Sequence, residues 1–199
     1  ISRKGEEGNL AQQFARTRES CEFLADFVAA GHEIVITHGN GPQVGDALRR
    51  VELTASEIYP VPLHMCVADT QATMGFMISQ CLSNALARRG IERTVSAVLT
   101  NVAVDLQDPA FGNPDKPIGK FLSREQAEAL IARHGWQMRQ YNHRDWRRVV
   151  PSPSPRAILE FELIQRLARE GMILICCGGG GIPVTRNGSG EWKGVDCVI

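Results

Sequence analysis

Two short apolar runs that each lead directly into a glycine-rich turn constrain this chain more than any other feature. Residues 33–37 precede the turn at 39–41, and residues 172–177 precede four consecutive glycines at 178–181. Apolar runs of this length, bounded by turn residues, predict buried strands. Glycines at strand ends allow backbone N–H groups to approach a ligand without a Cβ in the way. The sequence therefore predicts a sheet with two open turns at strand ends.

Helical and extended patterns alternate along most of the chain. Asn9 is a candidate N-cap for an amphipathic helix that ends near Gly31. Further helices are predicted at residues 43–55, 65–89 and 156–169, with a strand at 94–104. A strand-like run also occupies residues 195–199. This order predicts an α/β fold in which helices cover a mostly parallel sheet.

A proline-rich region at residues 105–155 interrupts the alternation. It contains a predicted helix at 123–134 and two predicted strands at 136–140 and 145–150, joined by a turn at 141–144. This pattern favours an inserted hairpin subdomain that projects from the sheet. Such an insertion serves either as a lid over a site or as an elaboration without a role in activity.

The composition excludes several classes of protein. Lysine plus arginine and aspartate plus glutamate each number 22, which gives no support for nucleic-acid or membrane-surface binding. No apolar run approaches the 18 residues typical of a membrane span. The six cysteines form no CxxC pair, so neither a metal site nor a disulfide framework is expected, and a reducing cytoplasm fits best.

The glycine turns are the strongest candidates for chemistry. In an open α/β sheet, ligands bind at the carboxyl ends of the strands, and a following helix N-terminus favours an anion. Neither turn is a Walker A loop or a GxGxxG fingerprint. The alternative is that the glycines only make tight turns. The candidate anion- or phosphate-binding residues are Gly39, Asn40, Gly41, Gly178, Gly179, Gly180 and Gly181.

Four basic side chains lie near these features. Lys116, between two prolines of the insertion, is a candidate clamp for a transferring phosphoryl group, or an ordinary solvated charge. Arg147 and Arg148 are candidate anion contacts, or exposed charges on a strand edge. His38 is a candidate general base, although a structural hydrogen bond is the simpler interpretation.

Four stretches resemble carbamate kinases of the amino-acid kinase family, and they occur in that family's order. They are THGNGPQVG at 37–45, DPAFGNPDKPIG at 108–119, WRRVVPSPSP at 146–155 and CCGGGGIPV at 176–184. The resemblance implies a three-layer αβα sandwich with a protruding lid, which usually works as a cytoplasmic homodimer. It implies phosphate transfer between ATP and carbamate with Mg²⁺ on the nucleotide, run mostly toward ATP in arginine and carbamoyl phosphate catabolism.

The same resemblance implies roles for individual residues. Gly39, Asn40 and Gly41 would hold the transferring phosphate, Lys116 would approach it from the lid, and the second turn would shape the carbamate side of the cleft. It divides the chain into an αβα part with the phosphate site (1–104), a lid (105–150) and a return to the core (151–199).

The chain also departs from the family's pattern. The family's first strand with its Gly-Gly-Asn turn, and its Asp-Lys-Asp segment with most of the ATP site, are not in this sequence. We therefore expect the fold to be incomplete at both ends and the 199 residues alone to be inactive. Two alternatives stay open: a truncated remnant that binds small anions or dimerises, and a relative that phosphorylates another small carboxylate or carbamate.

Overall fold

The computed structural model describes residues 8–142 and 145–199. The described helices are α1 (Leu10–Ala29), α2 (Gly41–Thr54), α3 (Leu63–Ala87), α4 (Arg124–His134) and α5 (Phe161–Arg169). The strands are β1 (Val35–Ile36), β2 (Val95–Ala97), β3 (Asn101–Val104), β4 (Lys116–Leu122), β5 (Met138–Asn142), β6 (Asp145–Val150), β7 (Pro155–Ile158), β8 (Ile173–Ile175), β9 (Ile182–Arg186) and β10 (Trp192–Gly194).

Helix α1 begins where the sequence predicts. The Asn9 side chain accepts a hydrogen bond from the Gln12 N–H at 3.0 Å, and the Gln12 side chain accepts from the Asn9 N–H at 3.3 Å. This reciprocal capping box satisfies two backbone donors that the first helical turn leaves without partners. The buried face of α1 then packs against α3 through Cys21, Ala25 and Val28.

The main sheet is parallel and has the strand order β1-β8-β2. Its central strand is covered on both faces because successive side chains point in opposite directions. Ile173 and Ile175 pack with α1 and α3, whereas Leu174 and Cys176 pack with Ile164 of α5. The result is a three-layer arrangement of helix, sheet and helix, which confirms the predicted αβα class.

Two further sheets extend this core. One is mixed, with the order β10-β9-β3-β7, and pairs β3 with β9 in parallel. The other is antiparallel, with the order β4-β6-β5, and all three of its strands come from the proline-rich region. It packs on α2, where Ile118 and Val150 join Val44 and Leu48 in one buried cluster. Gly45 lies so close to Gly119 that a Cβ there would be 2.9 Å from the Gly119 Cα.

The predicted strand at 94–104 is wrong as a single element. The chain instead leaves the main sheet after Ala97 and enters the mixed sheet at Asn101. Gln71 contacts the chain at the break: its side-chain oxygen accepts from the Thr100 N–H at 2.9 Å, where a continuous strand would place a backbone partner. A side chain from α3, distant in sequence, therefore takes the place of a strand partner between the two sheets.

The predicted helix at 156–169 begins too early. Residues 155–158 form β7, which pairs with β3, and α5 starts at Phe161. The Glu160 carboxylate accepts from the Asn101 N–H at 2.7 Å and from its side-chain amide at 2.8 Å. These bonds fix the corner between strand and helix.

Smaller boundary errors affect the remaining elements. The first strand covers only Val35–Ile36, and the strand predicted at 136–140 is observed at Met138–Asn142. The run at 195–199 is not a strand; β10 precedes it at Trp192–Gly194. Half of the predicted turn at 141–144 lies outside the described residues. Within those residues, no helix is long and apolar enough to cross a lipid bilayer.

Candidate active site

The first glycine turn joins β1 to α2. In the part of the chain that the structure describes, the backbone N–H groups of Gly39, Asn40 and Gly41 donate to no backbone or side-chain acceptor. A Cβ added at Gly39 or at Gly41 would meet nothing within 4 Å. Three free donors at the N-terminus of a 14-residue helix form a site with positive partial charge that suits an anion.

The second glycine turn follows β8 and requires its glycines for a conformational reason. Gly179, Gly180 and Gly181 have φ angles of 66°, 92° and 114°, a region that side chains disfavour. Cys177 also has a positive φ of 53°, which is uncommon for a residue with a Cβ. The turn is closed by the Gly180 N–H, which donates to the Cys177 carbonyl at 3.0 Å.

The two turns are in direct contact. Because β1 and β8 are parallel neighbours, with Ile36 opposite Ile175, their carboxyl ends open on the same edge of the sheet. The Gly179 N–H donates to the His38 carbonyl at 2.7 Å. A Cβ at Gly179 would lie 2.2 Å from both polar atoms of the Asn40 amide. The predicted turn residues therefore form one continuous backbone surface rather than two separate loops.

A buried polar layer lies beneath this surface, and sequence reasoning did not identify it. Thr70 and Gln71 of α3 are 3% and 4% exposed, and Thr100 is completely buried. The Thr100 hydroxyl accepts from the Cys177 N–H at 3.0 Å and donates to the Val98 carbonyl at 2.8 Å. The one signal in the sequence was a Thr-Gln pair in the middle of a long apolar helix.

His38 is half-buried beside both turns. Burial lowers its pKa below the ordinary value of 6.5, although the hydrogen bond to the Gly39 carbonyl acts in the opposite direction. The Nδ1–H donates to that carbonyl at 3.2 Å. A Cβ at Gly178 would lie 2.4 Å from the His38 Nε2. His38 therefore makes the structural hydrogen bond that the simpler interpretation predicted.

Lys116 begins β4, and its side chain is exposed. It lies opposite Val150 in the antiparallel pair and shares a strand face with Ile118. Val150 and Ile118 pack in the same buried cluster as Val44, which lies in the first turn of α2. Lys116 therefore starts on the face of its sheet that meets α2.

The end of β4 at Lys116 is also linked to the second turn. Pro151 follows Val150, and its carbonyl accepts from the Val198 N–H at 3.0 Å. The next residue, Ile199, lies against Gly180, where an added Cβ would be 2.8 Å from the Ile199 Cβ. Among residues 8–142 and 145–199, the Lys116 ammonium has no hydrogen-bond or ion-pair partner, so its charge is available.

Arg147 and Arg148 occupy opposite faces of β6. The Arg147 guanidinium donates to the Gly119 carbonyl at 2.7 Å and lies 5.1 Å from the centre of the Phe121 ring. Its buried Nε has no hydrogen-bond partner among the residues that the structure describes. Arg148 lies 4.0 Å from the centre of the Trp136 ring, and burial lowers its pKa. The structure gives both side chains packing roles, and their contact with an anion stays a prediction.

Comparison with known proteins agrees with this geometry. The model of the amino acid kinase family matches residues 7–192. The carbamate kinase of Pyrococcus horikoshii is 42% identical over all of this chain and 64% of its own length. A carbamate kinase-like protein of Escherichia coli is 44% identical over 96% of this chain and 62% of its own length.

Solved structures give the same result. The carbamate kinase from Giardia lamblia bound to AMP-PNP superposes with a TM-score of 0.91 at 34% identity, covering all of this chain and 63% of its own. A crystal structure from Aeropyrum pernix K1 superposes with a TM-score of 0.94 at 38% identity, covering 64% of its own chain. The chain thus spans about two thirds or slightly less of the proteins it matches. Its sequence, its sheet order and its paired glycine turns all lead to one conclusion: the chain belongs to the amino acid kinase family.

Proposed function

We propose that the protein containing this chain is a carbamate kinase-like phosphotransferase that interconverts ATP plus carbamate and ADP plus carbamoyl phosphate. The observation that carries the proposal is the contact between the two glycine turns, with three free N–H groups at the start of α2. Phosphoryl transfer needs little covalent chemistry from a protein, and it depends mainly on positioning and charge stabilisation. A backbone surface of this kind supplies both.

In the proposed reaction, a carbamate oxygen forms a bond to the γ-phosphorus of ATP. The bond between that phosphorus and the bridging oxygen breaks, and ADP leaves. Gly39, Asn40 and Gly41 hold the transferring phosphoryl group through their N–H groups, and Gly178 to Gly181 shape the carbamate side. Lys116 adds a full positive charge, because backbone amides alone are neutral dipoles. Arg147 and Arg148 are proposed as secondary anion contacts.

The antiparallel sheet of β4, β5 and β6 is proposed as the lid of this site. It forms a sheet of its own and meets α2 at Gly45, so a rotation at that contact would move Lys116 relative to the glycine turns. The lid would then occupy residues 105–150, between the αβα part with the phosphate site at 1–104 and the return to the core at 151–199.

ATP or ADP is the proposed cosubstrate, and the Giardia relative was solved with the nucleotide analogue AMP-PNP. Among residues 8–142 and 145–199, no three histidine, cysteine, aspartate or glutamate side chains are grouped to hold a metal ion. We propose that Mg²⁺ enters the site on the nucleotide phosphates. We also propose that the protein is a cytoplasmic homodimer. It would run the reaction mainly toward ATP, in arginine and carbamoyl phosphate catabolism.

A second candidate is a kinase for another small carboxylate. Its support is the similarity to an Escherichia coli protein described only as carbamate kinase-like. The two candidates differ in the acyl phosphate from which they synthesise ATP. A remnant that binds anions without turnover is the third candidate, and it would synthesise none.

One assay separates these candidates. The intact protein is mixed with Mg²⁺-ADP and with either carbamoyl phosphate or acetyl phosphate, and ATP formation is followed. We expect ATP from carbamoyl phosphate at a rate far above that from acetyl phosphate. A preference for acetyl phosphate would favour the second candidate, and no ATP from either donor would contradict phosphotransfer.

A further inference from the structure

Thr70 and Gln71 are consecutive residues of α3 that reach both glycine turns from below. Burying polar side chains is unfavourable unless they are hydrogen-bonded, and these two are almost completely buried. Neither approaches the open face of the turns, where substrate would bind, so the proposed reaction gives them no direct role. Their hydrogen bonds show what they do instead.

The Gln71 side chain ties the second turn to the start of β3. Its Nε2 donates to the Gly178 carbonyl at 3.0 Å and to the Thr100 carbonyl at 3.3 Å. Its oxygen accepts from the Thr100 N–H at 2.9 Å. Both amide hydrogens and the amide oxygen of Gln71 take part in hydrogen bonds. The side chain therefore has one orientation, and it fixes the distance between the second turn and α3.

Thr70 does the same for the first turn. Its hydroxyl accepts from the Asn40 Nδ2 at 2.9 Å and donates to the Val67 carbonyl at 2.8 Å. The Asn40 amide is thereby held against Gly179, where no Cβ would fit. The hydroxyl thus sets both the orientation of Asn40 and its distance from the second turn.

We propose that Thr70 and Gln71 are positioning residues that fix the separation of the two glycine turns. Because they are neighbours on one rigid helix, they set the distance between the phosphoryl group at the first turn and its acceptor at the second. This inference rests on the proposed function. Misplacing reacting groups by about 1 Å can cost on the order of a hundredfold in rate, so small errors in this spacing matter.

The test uses two substitutions that remove hydrogen bonds while keeping volume, Thr70→Val and Gln71→Met, in the intact protein. The same helix supplies matched controls in Thr73→Val and Gln80→Met, since both residues are exposed. The Thr73 hydroxyl also donates back within the helix, to the Asp69 carbonyl at 2.9 Å. It therefore controls for any effect of a valine on α3 itself.

For ATP synthesis from carbamoyl phosphate, we expect both test variants to lower kcat by roughly tenfold to a hundredfold. KM for ADP should stay within about twofold of wild type, because positioning acts on transfer rather than on nucleotide binding. Thr70→Ser, which restores the hydroxyl, should recover most of the rate, and the controls should match wild type. The inference is overturned if the test variants match the controls, if Thr70→Ser is as slow as Thr70→Val, or if KM for ADP changes as much as kcat. Should Gln71→Met fail to fold, the Thr70 pair decides the question alone.

A second measurement separates this inference from the proposed function. If wild-type protein makes no ATP, the function fails, and amide hydrogen exchange on the same variants tests the positioning. We then expect faster exchange across 177–181 in Gln71→Met, and in Thr70→Val at Gly179, whose N–H donates to the His38 carbonyl of the first turn, relative to their controls. Exchange rates equal to those of the controls would show that neither side chain holds its turn.

Discussion

At the scale of single residues, Lys116 supplies what the backbone amides lack. Charge grows on the phosphoryl oxygens near the transition state, and the N–H groups of the first turn meet it only as dipoles. An ammonium in a site that excludes water is worth on the order of 3 kcal/mol, or roughly a hundredfold in rate. We therefore predict that Lys116→Ala lowers kcat about a hundredfold in the intact protein and leaves KM for ADP nearly unchanged.

Steady-state kinetics checks this prediction. Lys193 of β10 is also an exposed lysine on a strand, so Lys193→Ala is the matched control and should keep the wild-type rate. Lys116→Arg should recover the rate only in part, because a planar guanidinium does not replace a compact ammonium. A Lys116→Ala variant that keeps more than about half of the wild-type kcat would make Lys116 an ordinary solvated charge.

His38 makes stability depend on pH in a direction that the structure sets. Burial lowers its folded-state pKa below 6.5, so the unfolded chain binds the proton more readily than the folded one. The contribution of neutral His38 to the free energy of unfolding is therefore complete above about pH 6.5, and it is lost as the pH falls through the folded-state pKa. We predict that the free energy of unfolding of wild type decreases from pH 7.5 to 5.5 by more than that of His38→Gln.

Urea unfolding at several pH values measures this difference. The other histidines and the carboxylates are common to both proteins and cancel in the comparison. His32 is exposed, so His32→Gln serves as a control for replacing a histidine at the surface. Parallel curves for wild type and His38→Gln would contradict the assignment of His38 as a half-buried side chain whose folded-state pKa is lowered.

At the scale of elements, the close contact between α2 and β4 should reverse the usual effect of a glycine-to-alanine substitution on stability. Alanine in place of a glycine inside a helix usually stabilises a protein by about 0.5–1 kcal/mol. At Gly45 an added Cβ would lie 2.9 Å from the Gly119 Cα, which is closer than atoms can pack. Gly45→Ala should therefore destabilise by about 1–3 kcal/mol, the usual cost of overpacking.

Urea unfolding shows whether Gly45→Ala raises or lowers the free energy of unfolding relative to wild type. Gly188→Ala is the control, because a Cβ at that turn position meets nothing within 4 Å, and its unfolding midpoint should stay near that of wild type. A Gly45→Ala protein more stable than wild type would show that α2 and β4 do not meet closely.

Sequence was a good guide to elements whose cause is local. Asn9 predicted the start of α1 because its capping box lies within one helical turn. Sequence failed where a distant side chain decides. Gln71 of α3 bonds the Thr100 backbone between β2 and β3, and Glu160 bonds the Asn101 backbone at the corner between β7 and α5. Neither partner can be identified from the residues next to the boundary that it sets.

At the scale of the whole molecule, the same distinction applies to the site. The glycine turns were predictable because each directly follows an apolar run typical of a buried strand. Their direct contact was not, since it depends on β1 and β8 being neighbours although more than a hundred residues separate them. The polar layer of Thr70, Gln71 and Thr100 was also hidden, because its role appears only when α3 lies beneath both turns.

The two turns are proposed to act as one site for phosphoryl transfer, and a substitution at Gly179 would disturb the contact between them. A side chain there would enter the space of the Asn40 amide at 2.2 Å, at a φ of +66° that also disfavours alanine. The measurement is the rate of ATP formation from carbamoyl phosphate and ADP by the intact protein, its Gly179→Ala variant and a Gly188→Ala control. We predict that wild type and the control form ATP at similar rates and that Gly179→Ala loses at least about a hundredfold. A Gly179→Ala enzyme that works at the wild-type rate, or a wild-type protein that forms no ATP, would contradict it.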